Sequence, residues 1–183
     1  MKFKRIFWAC AFALIGSQAS AFELSGSDFE KVGIEKNIDP VLLYSVALAE
    51  SAYSSEGSTS GASPYPWTLR TRGEAFYAES KAAAAQHLNL ILQTTRSVDI
   101  GLMQVNYRWH RHRVARAEDL LDPLTNLRVG ADILNENLAR LPDDLVSALG
   151  SYHSGNPARR QIYGLTVFTI YESLKANGRH RAY

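Results

Sequence analysis

Two carboxylates stand where acid–base chemistry is possible, Glu50 and Asp99. Glu50 closes the run Asp39 to Ala52, Asp-Pro-Val-Leu-Leu-Tyr-Ser-Val-Ala-Leu-Ala-Glu-Ser-Ala. Asp39 can cap a helix and Pro40 fits its first turn, where a missing N–H costs nothing. The helix behind them is apolar almost all round, which belongs in the middle of a domain. Glu50 lies one turn beyond Val46 and Ala47 and two beyond Leu43, so it continues the apolar stripe. An ionised carboxylate is costly there, and the negative end of the helix dipole adds to the cost, so the setting favours the protonated form that a general acid needs. The plainer alternative is that Glu50 marks the point where the helix surfaces.

Asp99 directly precedes Ile100-Gly101-Leu102-Met103-Gln104, a Gly-containing turn expected to fold back toward the central helix. Paired carboxylates are the signature of glycoside hydrolysis, which makes Asp99 a possible second carboxylate. The simpler reading is that it accepts hydrogen bonds from backbone N–H groups of the turn. Other chemistries find less. The sequence has no Gly-rich phosphate loop and no nucleophile elbow. His87, His110 and His112 lack a further ligand at metal spacing, so neither metal nor cofactor is expected. The run Arg108-Trp109-His110-Arg111-His112-Arg113 is either a patch for an anionic polymer or a solvated edge of the fold, and the edge is the simpler reading.

Residues 1–21 carry Lys2, Lys4 and Arg5, an apolar run from Ile6 to Ile15 and Ala19-Ser20-Ala21, the pattern of a secretory signal peptide with Phe22 as first mature residue. Cys10, the one cysteine in 183 residues, lies in that leader, so the mature chain has no disulfide and depends on an apolar core. The leader also holds three of the 20 basic side chains. Against 18 acidic ones the remainder is near neutral, which gives no argument for a nucleic-acid partner. No later segment is long enough to span a bilayer, so no membrane association is expected after cleavage.

The elements around the two carboxylates read as mostly helical. Ser27 and Glu30 are spaced as a capping box for a first helix to Asn37, with Phe29 and Val32 turned inward. Ser, Gly and Pro dominate from Ala52 to Pro66. Trp67 to Leu69 and Ala75 to Tyr77 read as a hairpin about Gly73. Ser80 caps a helix from Lys81 to about Gln93. Asp122-Pro123 repeats the cap-and-proline start, and Leu127, Ala131, Leu134 and Leu138 form its buried face. Pro142 breaks that helix, and Asp143-Asp144 open another that ends near Ser154-Gly155. Asn156-Pro157 starts the last, with Ile162, Val167, Ile170 and Leu174 as apolar contacts and Asn177-Gly178 as its stop. The division expected is a leader at 1–21, one domain at 22–176 with residues 54–97 inserted, and a flexible tail at 177–183.

Four separated blocks carry a resemblance. They are Glu50-Ser51 at a helix end, Ile100-Gly101-Leu102-Met103-Gln104-Val105-Asn106, Asp122-Pro123 with Asn126-Leu127-Arg128-Val129-Gly130, and Ala148 to Gly155. In order and character they resemble the soluble lytic transglycosylase (SLT) family of the lysozyme-like superfamily, over roughly Ile34 to Leu174. The lead-in Ser97-Val98-Asp99 is most similar to specialised members that travel with conjugation and secretion machines. The resemblance implies a mostly α lysozyme-like (goose-type/SLT) domain carrying one small β-hairpin insertion. It implies Glu50 as sole catalytic acid/base, Ser51 as the neighbour that orients it, and Ser51, Gln104, Asn106, Tyr152 and His153 as substrate-binding residues. His153 stands where the family block usually has Asn.

What the resemblance implies in chemistry is cleavage of the MurNAc–GlcNAc bond of peptidoglycan glycan strands without water. Glu50 protonates the oxygen leaving C1 of the N-acetylmuramoyl residue, the acetamido group can assist, and Glu50 then takes the C6 hydroxyl proton as that oxygen closes a 1,6-anhydro ring. The intramolecular nucleophile explains how one carboxylate suffices. The implied setting is the periplasm, as a component of secretion or conjugation machinery. The alternatives are a hydrolytic muramidase using Asp99, and a non-catalytic wall-binding assembly protein that would have no reason to keep a costly carboxylate on an apolar stripe.

Overall fold

The computed structural model describes residues 22–54, 61–72 and 74–179. The expected leader, part of the Ser/Gly-rich stretch, Gly73 of the hairpin turn and the last four residues lie outside these. Helix α1 (Asp28–Lys36) is capped by Ser27, whose Oγ accepts the Glu30 amide, and it ends at Asn37 in a left-handed conformation. The reciprocal bond of the cap is shifted by one residue, since Glu30 Oε2 accepts from the Gly26 amide at 2.7 Å. Helix α2 (Pro40–Ser51) starts as expected, with Asp39 accepting the Val41 amide at 2.8 Å. Leu42, Leu43, Val46 and Ala47 on α2 are buried.

Residues after α2 do more than fill a loop. Strand β1 (Ala52–Tyr53) pairs antiparallel with β2 (Ser63–Pro64). The expected hairpin forms from β3 (Thr68–Thr71) and β4 (Glu74–Tyr77). Helix α3 (Lys81–Leu92) follows, capped by Ser80. Strand β3 then also pairs with β5 (Asp99–Ile100), which pairs with β6 (Val105–Asn106), giving a sheet of order β4-β3-β5-β6. The inserted hairpin is thus continuous with the Gly-Leu-Met-Gln block. Side chains alternate across a strand, so Leu69, Ile100 and Val105 face the core while Arg70, Asp99 and Asn106 share the other face in register.

The chain continues through the short helix α4 (Tyr107–His110) and two 3₁₀ segments, Arg111–Arg113 and Ala117–Leu121. Helix α5 (Pro123–Arg140) is capped by Asp122 and buries Leu127, Ala131 and Leu134, with Leu138 partly covered. Helix α6 (Leu145–His153) is capped by Asp144, and α7 (Pro157–Arg179) packs against it. Gly150 and Gly164 set that approach, because a Cβ on either would lie 2.0 Å from the carbonyl oxygen of Arg160 or Val146. No described helix is long and apolar enough to cross a membrane.

Two details of α7 depart from the sequence reading. The helix runs through Asn177-Gly178 to Arg179, since Asn and Gly lower helix propensity without forbidding the helix. Val167 is buried as expected, but Ile162 is 68% exposed, and Tyr163, Phe168 and Tyr171 join Val167 on the inward side. Tyr171 donates to Asp39 Oδ2 at 2.7 Å, which ties α7 to the N-terminal cap of α2.

Candidate active site

A cleft of about 330 Å³ lies at the C-terminal end of α2. Its lining includes Glu50, Asp99, Gln104, Asn106, Tyr152 and His153, six of the seven site residues read from the sequence, drawn from α2, the sheet, the Gly101 turn and α6.

The seventh, Ser51, is fully buried behind the cleft and does not contribute to its wall. Its Oγ lies 2.8 Å from the Leu102 carbonyl oxygen and 3.1 Å from that of Ala47, and accepts the Tyr65 amide at 3.2 Å. These contacts hold the end of α2 against the Gly101 turn.

That turn is held from below. Gly101 has φ +79°, and a Cβ there would lie 2.4 Å from Asn126 Nδ2, so both conformation and space require glycine. Asn126 is fully buried and fully used. Its Nδ2 donates to Ile100 O at 2.8 Å and Leu120 O at 2.9 Å, and its Oδ1 accepts the Met103 amide at 2.8 Å. Gln104 adopts φ +44°, a region that L side chains enter only when their surroundings hold them. Its Nε2 donates to Thr68 O at 3.1 Å and Gly101 O at 2.9 Å, leaving Oε1 buried with no partner among the described residues. Tyr152 closes the arrangement by donating to Met103 O at 2.8 Å.

Asp99 does not brace the turn through backbone N–H groups. Among the described residues its partner is Asn106, whose Nδ2 donates to Oδ1 at 2.7 Å. The two residues face each other across β5 and β6, so the carboxylate points into the cleft rather than into the turn that follows it. Burial raises the pKa of Asp99, the Asn106 bond opposes this, Glu50 adds to the rise, and Arg70 and His153 oppose it.

On α6, His153 Nδ1 stands 3.8 Å from Glu50 Oε1, and the imidazole stacks on Tyr163 with centroids 4.6 Å apart. The contact with Glu50 raises the pKa of His153 against the opposing effect of burial. Burial, then the charge of Glu50, holds the pKa of both Tyr152 and Tyr163 well above the usual phenol value.

Sequence reasoning missed Arg70, Trp109, His110 and Ile133, which also line the cleft. Arg70 donates from Nη2 to the Glu50 main-chain oxygen at 3.4 Å. The alternation of β3 could have shown that Arg70 and Leu69 face opposite ways, but not that Asp99 lies beside it. A larger cavity of about 510 Å³ lies near the start of α5. Of its charged residues, Arg113 is paired to Glu136, Arg116 to Asp119, and Asp122 caps α5. It contains none of the residues that approach Glu50.

Residues 28–164, well over half of the chain, match the transglycosylase SLT domain. The chain belongs to this family. The mostly α, lysozyme-like SLT architecture expected from the resemblance is the one observed, with the hairpin extended into a four-stranded sheet. The chain is also similar to Protein virB1 of Agrobacterium fabrum (strain C58 / ATCC 33970), 27% identical over 146 residues. That match covers 75% of this chain and 56% of the relative, so the SLT chain spans little more than half of that protein's length. No solved structure matches the chain.

Proposed function

We propose that this SLT-family chain is a peptidoglycan lytic transglycosylase that acts in the periplasm, opening the wall locally for an envelope-spanning secretion or conjugation machine. The observation that carries the reading is Glu50, a carboxylate at the end of a buried helix, facing a cleft shared with Gln104, Asn106, Tyr152 and His153. In the proposed cycle the Glu50 carboxyl gives its proton to the glycosidic oxygen as the bond to C1 of MurNAc breaks. The acetamido oxygen supports the electron-poor C1. The Glu50 carboxylate then removes the C6 hydroxyl proton while O6 bonds to C1, which restores the acid and closes the 1,6-anhydro ring. No cofactor enters the cycle.

Asp99 gives the hydrolytic reading its footing, because a carboxylate whose pKa is raised by burial in the same cleft is suited to deprotonating water. The transglycosylase reading is preferred because the sugar can supply its own nucleophile and the match to the transglycosylase SLT domain supports that reaction class. Mass spectrometry of digested peptidoglycan tests it. Anhydro ends, one water lighter than reducing ends, support the proposal, and reducing ends alone would replace it with a muramidase. A secretion-machine role is tested by deleting the chain, which should reduce substrate export or DNA transfer while leaving bulk wall growth unchanged.

A further inference from the structure

Trp109 is 66% exposed and is the most exposed large aromatic among the described residues, yet it lines the cleft that holds Glu50. The backbone fixes this placement. Tyr107 packs on the core and its amide donates to Val98 O at 2.9 Å, which anchors the start of α4. Trp109, two residues on, is turned toward solvent at the cleft margin. The Arg108 guanidinium stands over the indole, 5.1 Å from its centroid, a cation–π contact that braces the ring. His110 also lines the cleft, and its buried Nδ1 has no partner among the described residues.

An indole in water forfeits the burial its area offers, so a rigid, braced and exposed ring beside reacting groups is suited to a ligand that completes its packing. A β-linked hexosamine fits the surface, because its axial C–H bonds present an apolar, weakly positive face to the negative face of the ring. A glycan strand is also longer than a cleft of 330 Å³, and must leave it across a margin. We infer that Trp109, braced by Arg108, is a stacking platform for an N-acetylhexosamine ring next to the cleavage site. The assignment rests on the glycan-cleaving reading above and gives the basic-aromatic run a sugar-binding role in place of a solvated edge.

The test uses the purified protein and two measurements. With soluble glycan strands, Trp109→Ala should raise KM about tenfold and change kcat by less than about threefold, and Trp109→Phe should recover most of the loss. With the N-acetylglucosamine trimer, tryptophan emission of wild type should shift on titration, and the shift should be absent in Trp109→Phe, where Trp67 remains as the control. An unchanged KM together with an emission shift that persists in Trp109→Phe would overturn the platform. Equal losses of kcat in the Ala and Phe variants would overturn it too, by making Trp109 structural. Because the trimer titration reads binding alone, it stands even if wild type yields no anhydro product, which separates this inference from the transglycosylase reading.

Discussion

His153 Nδ1 lies 3.8 Å from Glu50 Oε1, with the imidazole parallel to the Tyr163 ring to within 5°. The stacking holds the imidazole beside the carboxylate, and the carboxylate in turn favours the charged imidazolium. Because the folded-state pKa of His153 is raised, its contribution to stability is present in full below the unfolded value of 6.5 and is lost as pH rises through the folded one. The melting temperature of wild type should therefore exceed that of His153→Asn by more at about pH 5.5 than at about pH 8.5. His153 is half exposed, so added salt should shrink the gap. A gap that grows with pH would contradict the pairing.

The same contact bears on rate. An imidazolium at this distance places a positive charge beside the group proposed to donate the proton of the first step. Removing it in His153→Asn should raise the ratio of variant to wild-type kcat/KM as pH falls below the His153 pKa, with the ratio flat above it. A pH-rate series on soluble strands measures this directly, and a ratio independent of pH would show that the charge of His153 does not bear on the reaction.

Glu50→Gln should lower cleavage by about 10³-fold or more, because an isosteric amide keeps the packing and cannot donate or recover the proton. Its melting temperature should stay within about 3 °C of wild type, since the change removes only a partly exposed ion pair. Turnover retained in a folded Glu50→Gln protein would take Glu50 out of the reaction.

Asp99→Asn should cost less than about tenfold in rate and leave the end groups anhydro, because the water-free route does not use this carboxylate. Loss of its charge should also lower the His153 pKa, which NMR titration of the imidazole can follow. A loss of about 10²-fold, accompanied by the disappearance of wild-type reducing ends, would assign Asp99 to water activation.

Asn126→Ala should destabilise the fold by about 2–4 kcal/mol, since it strands the Met103 amide and two carbonyl oxygens in the core. Urea denaturation measures the loss. Activity of the remaining folded protein should also fall, because Gln104 and Tyr152 are held on the same turn.

How much of this was legible in sequence follows from how local each signal is. Asp39-Pro40, Ser80, Asp122-Pro123 and Asp144 each announced a helix start, because capping is settled within three residues. The apolar stripe ending in Glu50 was equally local. The burial of Ser51 was hidden because it depends on Leu102 and Tyr65, and the place of Arg70 because only strand pairing brings it beside Asp99. The simpler reading of Asp99 failed for the same reason, since proximity in sequence favoured the turn while β5–β6 pairing gave it Asn106. Trp109 sat in a run whose charges suggested an edge, and nothing local says that the edge belongs to a cleft.

The most direct test of the central claim is digestion of purified peptidoglycan in water enriched in heavy oxygen, followed by mass spectrometry of the released ends. The account predicts 1,6-anhydro ends carrying no label, because O6 of the same sugar closes on C1, and their loss in Glu50→Gln. Reducing ends that carry the heavy oxygen, and that depend on Asp99, would contradict it.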